Sequence, residues 1–329
     1  MSPARPRLTP PIADTRRAVR DAVHGLPPDA LVLVALSGGP DSLALAAATA
    51  FEAPRSGLRA GAVVVDHCLQ RHSAEVAARA AAAARDLGLD PVLVRRVDVG
   101  TDGGPEAAAR EARYGALRSV AREHDAAAVL LGHTLDDQAE TVLLGLARGS
   151  GPGSLRGMAA IAEVWRRPFL GIRRAETEAA CHHLELTPWH DPHNDDSAYT
   201  RVRVRRSVLP HLELELGPGV AEALARTAEQ LHEDDDALDR MVDEVAEDLA
   251  EHVDAGIALP VAALVANPAA LRHRLIRLVV ASEFGVSLSR SQTLEVARLA
   301  VDWHGQGPID LPGCRADRVG GMIRFVAPR

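Results

Sequence analysis

The stretch LVLVALSGGPDS, residues 31–42, joins an apolar run to a loop of small and acidic residues. The apolar run predicts a buried strand, and the alanine-rich segment after Ser42 predicts a helix. A strand that enters a helix through a glycine turn directs several backbone N–H groups at one point, an arrangement that binds phosphate. The alternative interpretation is an ordinary strand-to-helix turn, in which Ser, Gly and Asp are also common.

This loop differs from two widespread phosphate-binding motifs. The Walker loop requires a lysine before its Ser or Thr, and the chain contains no lysine at all. The G-x-G-x-x-G pattern of dinucleotide-binding proteins is also missing from residues 37–42. The sequence therefore argues against a P-loop NTPase and against a dinucleotide-binding domain.

Length and composition limit the class of protein. A chain of 329 residues favours two domains, and 47% hydrophobic residues suffice for two cores. The three cysteines, Cys68, Cys181 and Cys314, form no C-x-x-C pair, so we expect neither disulfides nor a zinc site, and a reducing cytoplasm fits. No apolar run is long enough to span a membrane, and we expect no membrane partner.

Predicted strands alternate with predicted helices up to about residue 150, which indicates an α/β fold with a doubly wound, parallel sheet. Polar segments follow three of the strands, at residues 37–42, 66–67 and 132–140. They should meet at the carboxyl edge of the sheet, where such folds bind ligands. The Gly217-Pro218-Gly219 segment predicts a boundary between a first domain, residues 1–216, and a smaller, mainly helical domain, residues 217–329.

Acidic residues dominate the segment after the fourth predicted strand. Thr134 and Asp137 have the spacing of a helix capping box. Capping does not explain Glu140, which shares a helical face with Asp137. Two carboxylates on one face suit an ammonium group or a magnesium ion.

Arginines are concentrated at 166–174 and at 201–206 despite the net charge of −8. Arg113 lies on a predicted helix, where a solvent-exposed charge pair and a bidentate grip on a carboxylate or phosphate are about equally plausible. Arg201, Arg203, Arg205 and Arg206 alternate with β-branched residues, so their segment is either a strand or a helix face. They suit contacts to a phosphate backbone, with Tyr199 available to stack on a base.

Six segments together resemble one known family. They are SGGPDSLAL at 37–45, VDHCL at 65–69, AREARY at 109–114, LGHTLDDQAETVLLGLARGSGPGSLRGM at 131–158, RRPFL at 166–170 and DPHNDDSAYTRVRVRRSVLP at 191–210. In order and spacing they resemble the tRNA(Ile)-lysidine synthetase family of the PP-loop ATP pyrophosphatases, over residues 31 to about 215. The resemblance implies a Rossmann-like catalytic domain of the ATP pyrophosphatase type, followed by a small tRNA-binding domain.

The resemblance also implies the reaction. ATP adenylates the wobble cytidine of the CAU anticodon of an isoleucine tRNA, and L-lysine then displaces AMP to form lysidine. A cytidine thiolase of the same superfamily, a small-molecule amidating ligase and a non-catalytic nucleotide-binding module are the alternatives. The implied partners are tRNA(Ile) and L-lysine, the cofactors ATP and Mg²⁺, and the location the cytoplasm; a homodimer is compatible with the sequence.

Site residues carried over from the resemblance fall into five groups. The ATP-binding residues are Ser37, Gly38, Gly39, Pro40, Asp41, Ser42, Asp66, His67, Gly132, His133 and Asp136. Asp41 and Asp136 are the expected magnesium ligands, and Asp41 and Asp137 the expected catalytic residues. The lysine-binding residues are Arg113, Asp137 and Glu140. The tRNA-binding residues are Arg166, Arg167, Asn194, Tyr199, Arg201, Arg203, Arg205 and Arg206.

Overall fold

The apolar run forms a strand, Leu31–Ala35 (β1), in which every residue is buried. Leu31 and Leu33 pack into one apolar cluster, and Val32 and Val34 pack into another. Both faces of the strand are therefore covered, which explains why the run is apolar throughout instead of alternating with polar residues.

The computed structural model describes residues 8–68, 72–100, 105–149, 151–253 and 256–328. In it, β1 is a central strand of a six-stranded sheet. The other strands are Arg59–Asp66 (β2), Val92–Arg96 (β3), Ala126–Leu130 (β4), Ile161–Ala162 (β5) and Trp165–Arg166 (β6). The strand order is β3-β2-β1-β4-β6-β5, and each pairing is parallel except that of β5 with β6. The chain runs outward from β1 to β3 and then returns to β4, so a ligand crevice is expected at the carboxyl ends of β1 and β4, where the strand order reverses.

Helices cover both faces of this sheet. The helices between residues 10 and 249 are Pro10–Val23 (α1), Pro40–Glu52 (α2), Ser73–Asp86 (α3), Pro105–Glu123 (α4), Leu135–Arg148 (α5), Pro152–Leu155 (α6), Arg174–His183 (α7), Thr200–Arg203 (α8), Leu209–Leu216 (α9) and Val220–Leu249 (α10). Residues of α1, α2, α3 and α7 share the cluster of Val32, whereas α4 packs against the opposite face. The predicted α/β class is confirmed. The arginine-rich segment at 201–206 forms a helix and not a strand. It lies in α8 and in a π-helical turn, Val204–Val208, that joins α8 to α9.

The chain divides into two compact units, one ending at Leu231 and one beginning at His232. The predicted functional boundary between residues 216 and 217 stays a prediction. Within the second unit, an antiparallel sheet has the order β7-β8-β11-β10-β9. Its strands are Glu251–Val253 (β7), Gly256–Pro260 (β8), Ile309–Leu311 (β9), Cys314–Val319 (β10) and Met322–Val326 (β11).

Helices Val261–Ala266 (α11), Ala269–Phe284 (α12) and Arg290–Val301 (α13) share an apolar core with that sheet, centred on Leu259, Ile276 and Phe325. The helices agree with the predicted mainly helical domain, whereas the sheet is not predicted from the sequence. Among the described residues, no helix has the length and apolar character needed to cross a membrane.

Candidate active site

The loop between β1 and α2 is held in shape by its own serines. The hydroxyl of Ser42 donates to the Gly39 carbonyl at 3.0 Å and accepts from the backbone N–H of Ser37 at 3.2 Å. Gly38 has a φ of 88°, in the left-handed region that favours glycine, and Pro40 is the first residue of α2. The unpaired N–H groups of the first helical turn are therefore presented to a phosphate at a preformed site.

Gly132, which follows β4, packs directly against this loop. A Cβ atom at Gly132 would lie 3.1 Å from the carbonyl carbon of Asp41 and 3.1 Å from the backbone nitrogen of Ser42. Because both neighbours are backbone atoms, a side chain here would push the start of α2 out of position. Glycine at this position allows the ends of β1 and β4 to approach closely.

Helix α7 supports the loop from one side. The hydroxyl of Thr177 lies within hydrogen-bond distance of the Asp41 carboxylate, and the thiol of Cys181 donates to the Pro40 carbonyl at 3.3 Å. The Arg174 guanidinium also approaches Asp41, with Nε 3.5 Å from Oδ2. Burial raises the pKa of Asp41 to about 6, although Thr177 and Arg174 act in the opposite direction.

A cavity of about 190 Å³ opens beside the loop. Its lining includes Ser37, Asp66, His67, Arg113, Trp189 and Asp191. The backbone N–H of Trp189 donates to the Gly38 carbonyl at 2.9 Å, so this wall of the cavity is attached to the phosphate loop. The structure thus brings the loop, the end of β2 and Arg113 of α4 around one space of mixed polar and apolar character.

Two histidines near this edge have unsatisfied ring nitrogens. The Nδ1 atoms of His67 and His133 are buried and have no hydrogen-bond partner among the residues that the structure describes. Burial and the neighbouring Arg113 lower the pKa of His67. Burial lowers the pKa of His133 to about 3, with Asp137 opposing the shift and Arg113 adding to it. Both imidazoles are therefore neutral at physiological pH and can accept or donate a hydrogen bond to a ligand.

Arg113 is half-buried, and burial is the main cause that lowers its pKa. Among the residues the structure describes, it forms no ion pair. A cation with no counter-ion beside a cavity is well suited to an anionic ligand group.

Helix α5 begins with the predicted capping box of Thr134 and Asp137, which is confirmed. The Thr134 N–H donates to Asp137 Oδ2 at 2.9 Å, and the Asp137 N–H donates to Thr134 Oγ1 at 3.4 Å. Asp136 accepts from the Arg174 N–H at 2.7 Å and lies 3.2 Å from the Arg173 guanidinium. Glu140 lies one turn further along α5 and is fully buried.

Three guanidinium groups surround Asp137 and Glu140. Arg201 Nε donates to Glu140 Oε2 at 2.9 Å, and Arg205 Nε donates to Glu140 Oε1 at 2.7 Å. Arg174 Nη2 donates to Asp137 Oδ1 at 2.9 Å. Burial would raise the pKa of Asp137, but Arg174, Arg201 and the Thr134 N–H outweigh it, so the pKa is lowered. We call these five side chains the arginine–carboxylate cluster.

The residues predicted to bind tRNA are not gathered in one place. Arg201 and Arg205 belong to the arginine–carboxylate cluster, whereas Arg203 and Arg206 are exposed. Arg203 donates to the Ser197 and Ala198 carbonyls at 2.8 Å, and Arg206 pairs with Asp195.

The other predicted tRNA contacts lie on separate short segments. Arg166 is in β6, and Arg167 donates to the Ala159 carbonyl at 2.7 Å. The Nε atoms of both are buried, and no residue in the described part of the chain forms a hydrogen bond with them. Asn194 lies in the short 3₁₀ turn Pro192–Asp195, and Tyr199 immediately precedes α8.

Sequence reasoning missed four residues that shape the site: Arg174, Thr177, Cys181 and Trp189. Arg174 and Thr177 are one turn apart at the start of α7, and nothing in the local pattern distinguishes them from an ordinary helical surface. Trp189 is one of only three tryptophans in a chain with 3% aromatic residues, and it precedes the polar turn at 191–196. That rarity is the signal that could have drawn attention to it.

The donor atoms present suit a magnesium ion that arrives with phosphate. The described residues contain no group of three or more His, Cys, Asp or Glu side chains that could hold a metal by themselves. Asp41 nevertheless lies at the phosphate loop, and Mg²⁺ is commonly held by one or two carboxylates together with phosphate oxygens and waters. The site fits Mg²⁺ on that basis.

Comparison with known proteins agrees with this geometry. Residues 14–212 match the family model of the PP-loop domain, and residues 259–323 match that of the TilS substrate binding domain. The fold of a solved structure, the U34-tRNA thiolase NcsA from Methanococcus maripaludis, is similar with a TM-score of 0.56 and 22% identity, covering 68% of this chain and 80% of that one.

Curated relatives are much more similar in sequence. The tRNA(Ile)-lysidine synthase of Leifsonia xyli is 66% identical over 92% of this chain and 91% of its own length. Those of Thermobifida fusca and Salinispora tropica are 53% and 51% identical, over 94% and 98% of this chain and 95% and 98% of their own lengths. The resemblance seen in the motifs is confirmed, and the chain belongs to the tRNA(Ile)-lysidine synthase family.

Proposed function

We propose that this protein forms lysidine at the wobble cytidine of the CAU anticodon of tRNA(Ile). ATP transfers its AMP group to O2 of the base and releases pyrophosphate. The ε-amino group of L-lysine then attacks C2 and expels AMP. The observation that carries the proposal is the preformed phosphate loop, which lies beside a cavity of about 190 Å³ in a chain of the tRNA(Ile)-lysidine synthase family.

ATP would bind with its phosphates in the loop and its adenosine in the cavity. N–H and hydroxyl groups of Ser37, Gly38, Gly39 and Ser42 would bind the β- and γ-phosphates. The adenosine would occupy the cavity, where the Trp189 ring offers an apolar surface and Asp66 and His67 offer polar groups. His133 and Asp136, after β4, would lie near the phosphates.

Magnesium would be held by Asp41, with Asp136 as a second ligand, when ATP is bound. Its chemistry would be to offset negative charge on the departing pyrophosphate. The serines and N–H groups of the loop would act on the same charge, and they require no reorganisation because the loop is already ordered.

Lysine would bind between two groups of opposite charge. Arg113, which has no counter-ion among the described residues, would bind the α-carboxylate. Asp137 and Glu140 would bind the ammonium group. Because three guanidiniums already contact these carboxylates, an ammonium can enter only if one of them withdraws.

The proton released during attack by lysine needs an acceptor. Asp137 is our candidate, but in this arrangement the surrounding arginines lower its pKa and make it a weak base. Withdrawal of a guanidinium would let the lysine ammonium take its place beside Asp137. The ammonium could then pass its proton to this carboxylate before the amine attacks.

The tRNA would contact exposed arginines, of which Arg203 and Arg206 are the clearest candidates, and we propose a cytoplasmic location for the reaction. A homodimer stays a prediction. A thiolase activity is disfavoured because Cys181 and Cys314 are buried and burial raises the pKa of both thiols, that of Cys181 to about 12. Cys68 is the one exposed cysteine of the three.

One assay tests the proposal. The protein is incubated with ATP, radiolabelled lysine and tRNA(Ile) bearing a CAU anticodon, and the label in RNA is measured. We expect incorporation that requires ATP and disappears when the wobble cytidine is replaced by uridine. Asp41→Ala should abolish incorporation while tRNA binding persists. Incorporation without ATP, or none with every component present, would contradict the proposal.

A further inference from the structure

Arg174 contacts carboxylates from two separate parts of the site. Its guanidinium lies 3.5 Å from Asp41 Oδ2 in the phosphate loop, 2.9 Å from Asp137 Oδ1 and 3.5 Å from Glu140 Oε1 in α5. Within the described part of the chain, no other cation pairs with both the loop and α5, since Arg201 and Arg205 pair with Asp137 and Glu140 alone.

The position of Arg174 is fixed by its backbone. Its N–H donates to Asp136 at 2.7 Å, and its carbonyl lies 2.8 Å from the Thr177 hydroxyl, which also reaches Asp41. The side chain is 18% exposed. Burial opposes the charge of the guanidinium, but Asp137, Asp41 and Glu140 outweigh burial and raise its pKa, so it stays charged.

Resting on the proposed function, we propose that Arg174 is a positioning residue that couples ATP binding to lysine binding. Even with its Mg²⁺, ATP carries net negative charge, so its entry into the loop adds negative charge on the Asp41 side of the guanidinium. The guanidinium is attracted toward that side and loosens its contacts with Asp137 and Glu140. These carboxylates then become available to the lysine ammonium, so ATP favours the binding of lysine.

Coupling of this kind is measurable and must be reciprocal. We expect a non-hydrolysable ATP analogue with Mg²⁺ to tighten lysine binding by at least about fivefold, and lysine to tighten analogue binding by the same factor. Isothermal titration of the wild type with lysine, with and without the analogue, gives the first ratio; the reverse titration gives the second. A ratio near one in the wild type would overturn the proposal.

Arg174→Lys keeps the charge but cannot span three carboxylates with one planar group. We expect both variants, Arg174→Lys and Arg174→Gln, to reduce the coupling ratio to less than twofold. Because the ratio compares two affinities within one protein, a general loss of stability affects both and leaves the ratio unchanged. Arg95→Gln, which removes an exposed pair with Glu123, is the matched control and should keep the wild-type ratio.

Thr177→Val provides an independent test if the Arg174 variants do not fold. It removes the hydroxyl that lies between Asp41 and the Arg174 carbonyl and keeps the side-chain shape, so the coupling ratio should fall by at least half. Wild-type coupling in either Arg174 variant, or in Thr177→Val, would contradict the proposal. Failure of the proposed function would be distinguishable from this result, because the wild type itself would then incorporate no lysine into tRNA.

Discussion

Glu140 is a fully buried carboxylate whose neighbours come from distant parts of the sequence. Arg201 and Arg205 each form a hydrogen bond shorter than 3 Å to it, across sequence separations of 61 and 65 residues. A buried ion cluster adds little net stability when complete, but removal of one member leaves the others uncompensated. Glu140 is therefore a structural requirement as well as a candidate ligand.

Glu140→Gln should lower the free energy of unfolding by about 3 kcal/mol, because Arg201 and Arg205 lose one of their two counter-charges at a partly buried site and keep only Asp137. Urea denaturation of the purified variant and wild type measures the difference. Glu75→Gln is the control, since Glu75 is 74% exposed and pairs with an exposed His72; it should cost less than about 0.5 kcal/mol. An equal cost for both variants would show that the buried cluster is dispensable.

His133 should make the protein sensitive to acid. Its pKa is lowered from 6.5 to about 3 in the folded state, mainly by burial, so the unfolded chain takes up a proton that the folded one does not. Stability from this group is complete well above pH 6.5 and is lost as the pH falls through that value. Between pH 7.5 and 5.5 the loss should be about 1.4 kcal/mol. His133→Gln should remove that part of the loss, and an unchanged pH dependence in the variant would refute the assignment.

Residue patterns predicted the loop and the capping box because both are local. Ser37 to Ser42 and Thr134 to Asp137 each interact within five residues, so their spacing carries the information. The partners of Glu140 do not follow from any local spacing. The same is true of Arg174, whose contacts to Asp41 and Asp137 depend on where α7 packs.

At the scale of elements, the predicted meeting of three segments depends on sheet topology. Strands β1 and β4 are paired in parallel, so the loop after one and Gly132 after the other lie at the same edge. Alternation of strands and helices was enough to predict this edge. It did not reveal that Gly132 itself touches the loop backbone.

Gly132→Ala should weaken ATP binding about tenfold, equivalent to about 1.4 kcal/mol, because its Cβ would press on the backbone of Asp41 and Ser42. Equilibrium binding of a fluorescent ATP analogue gives the affinity. Gly115→Ala in α4 is the control, because its added Cβ would have no described atom within 4 Å apart from its own helix backbone and chain neighbours; ATP binding should not change. An unaffected affinity in Gly132→Ala would show that the loop tolerates displacement.

The sheet of the second unit was not predicted, although one of its strands has a recognisable sequence pattern. In Cys314–Val319 the buried Cys314 and Ala316 alternate with more exposed Arg315 and Asp317, which is the period of a strand. Gly320 and Gly321 both have positive φ and connect this strand to Met322–Val326, as expected of a tight hairpin. Long helices at 220–249 and 269–284 dominated the prediction because their patterns extend over more residues.

At the scale of the whole molecule, an acidic protein must bind a polyanion. The net charge of −8 opposes nonspecific attraction to tRNA, so affinity depends on local groups of arginines. Of the four arginines at 201–206, two neutralise the carboxylates of α5 and two are exposed to solvent. The sequence showed the local charge but not this division of roles, which follows from the helical faces of α8 and the π-helical turn.

Arg206→Gln should weaken tRNA binding uniformly and reduce the slope of log affinity against log salt by about 1, as expected for loss of one phosphate contact. Fluorescence anisotropy with labelled tRNA at several salt concentrations measures both quantities. Arg17→Gln, which is 66% exposed and pairs with Asp14, should leave the slope unchanged. A wild-type slope in Arg206→Gln would exclude Arg206 from the tRNA interface.

The long sequence separation within the arginine–carboxylate cluster has a consequence for synthesis of the protein. Glu140 leaves the ribosome 65 residues before Arg205 does, and at about 5–20 residues per second this takes about 3–13 s. During that interval the nascent chain holds a carboxylate that cannot be buried without its counter-charges. We therefore expect α5 to dock late in translation, after Arg205 has emerged, so that truncated chains lacking residues 201–205 would be recognised by proteases as incompletely folded.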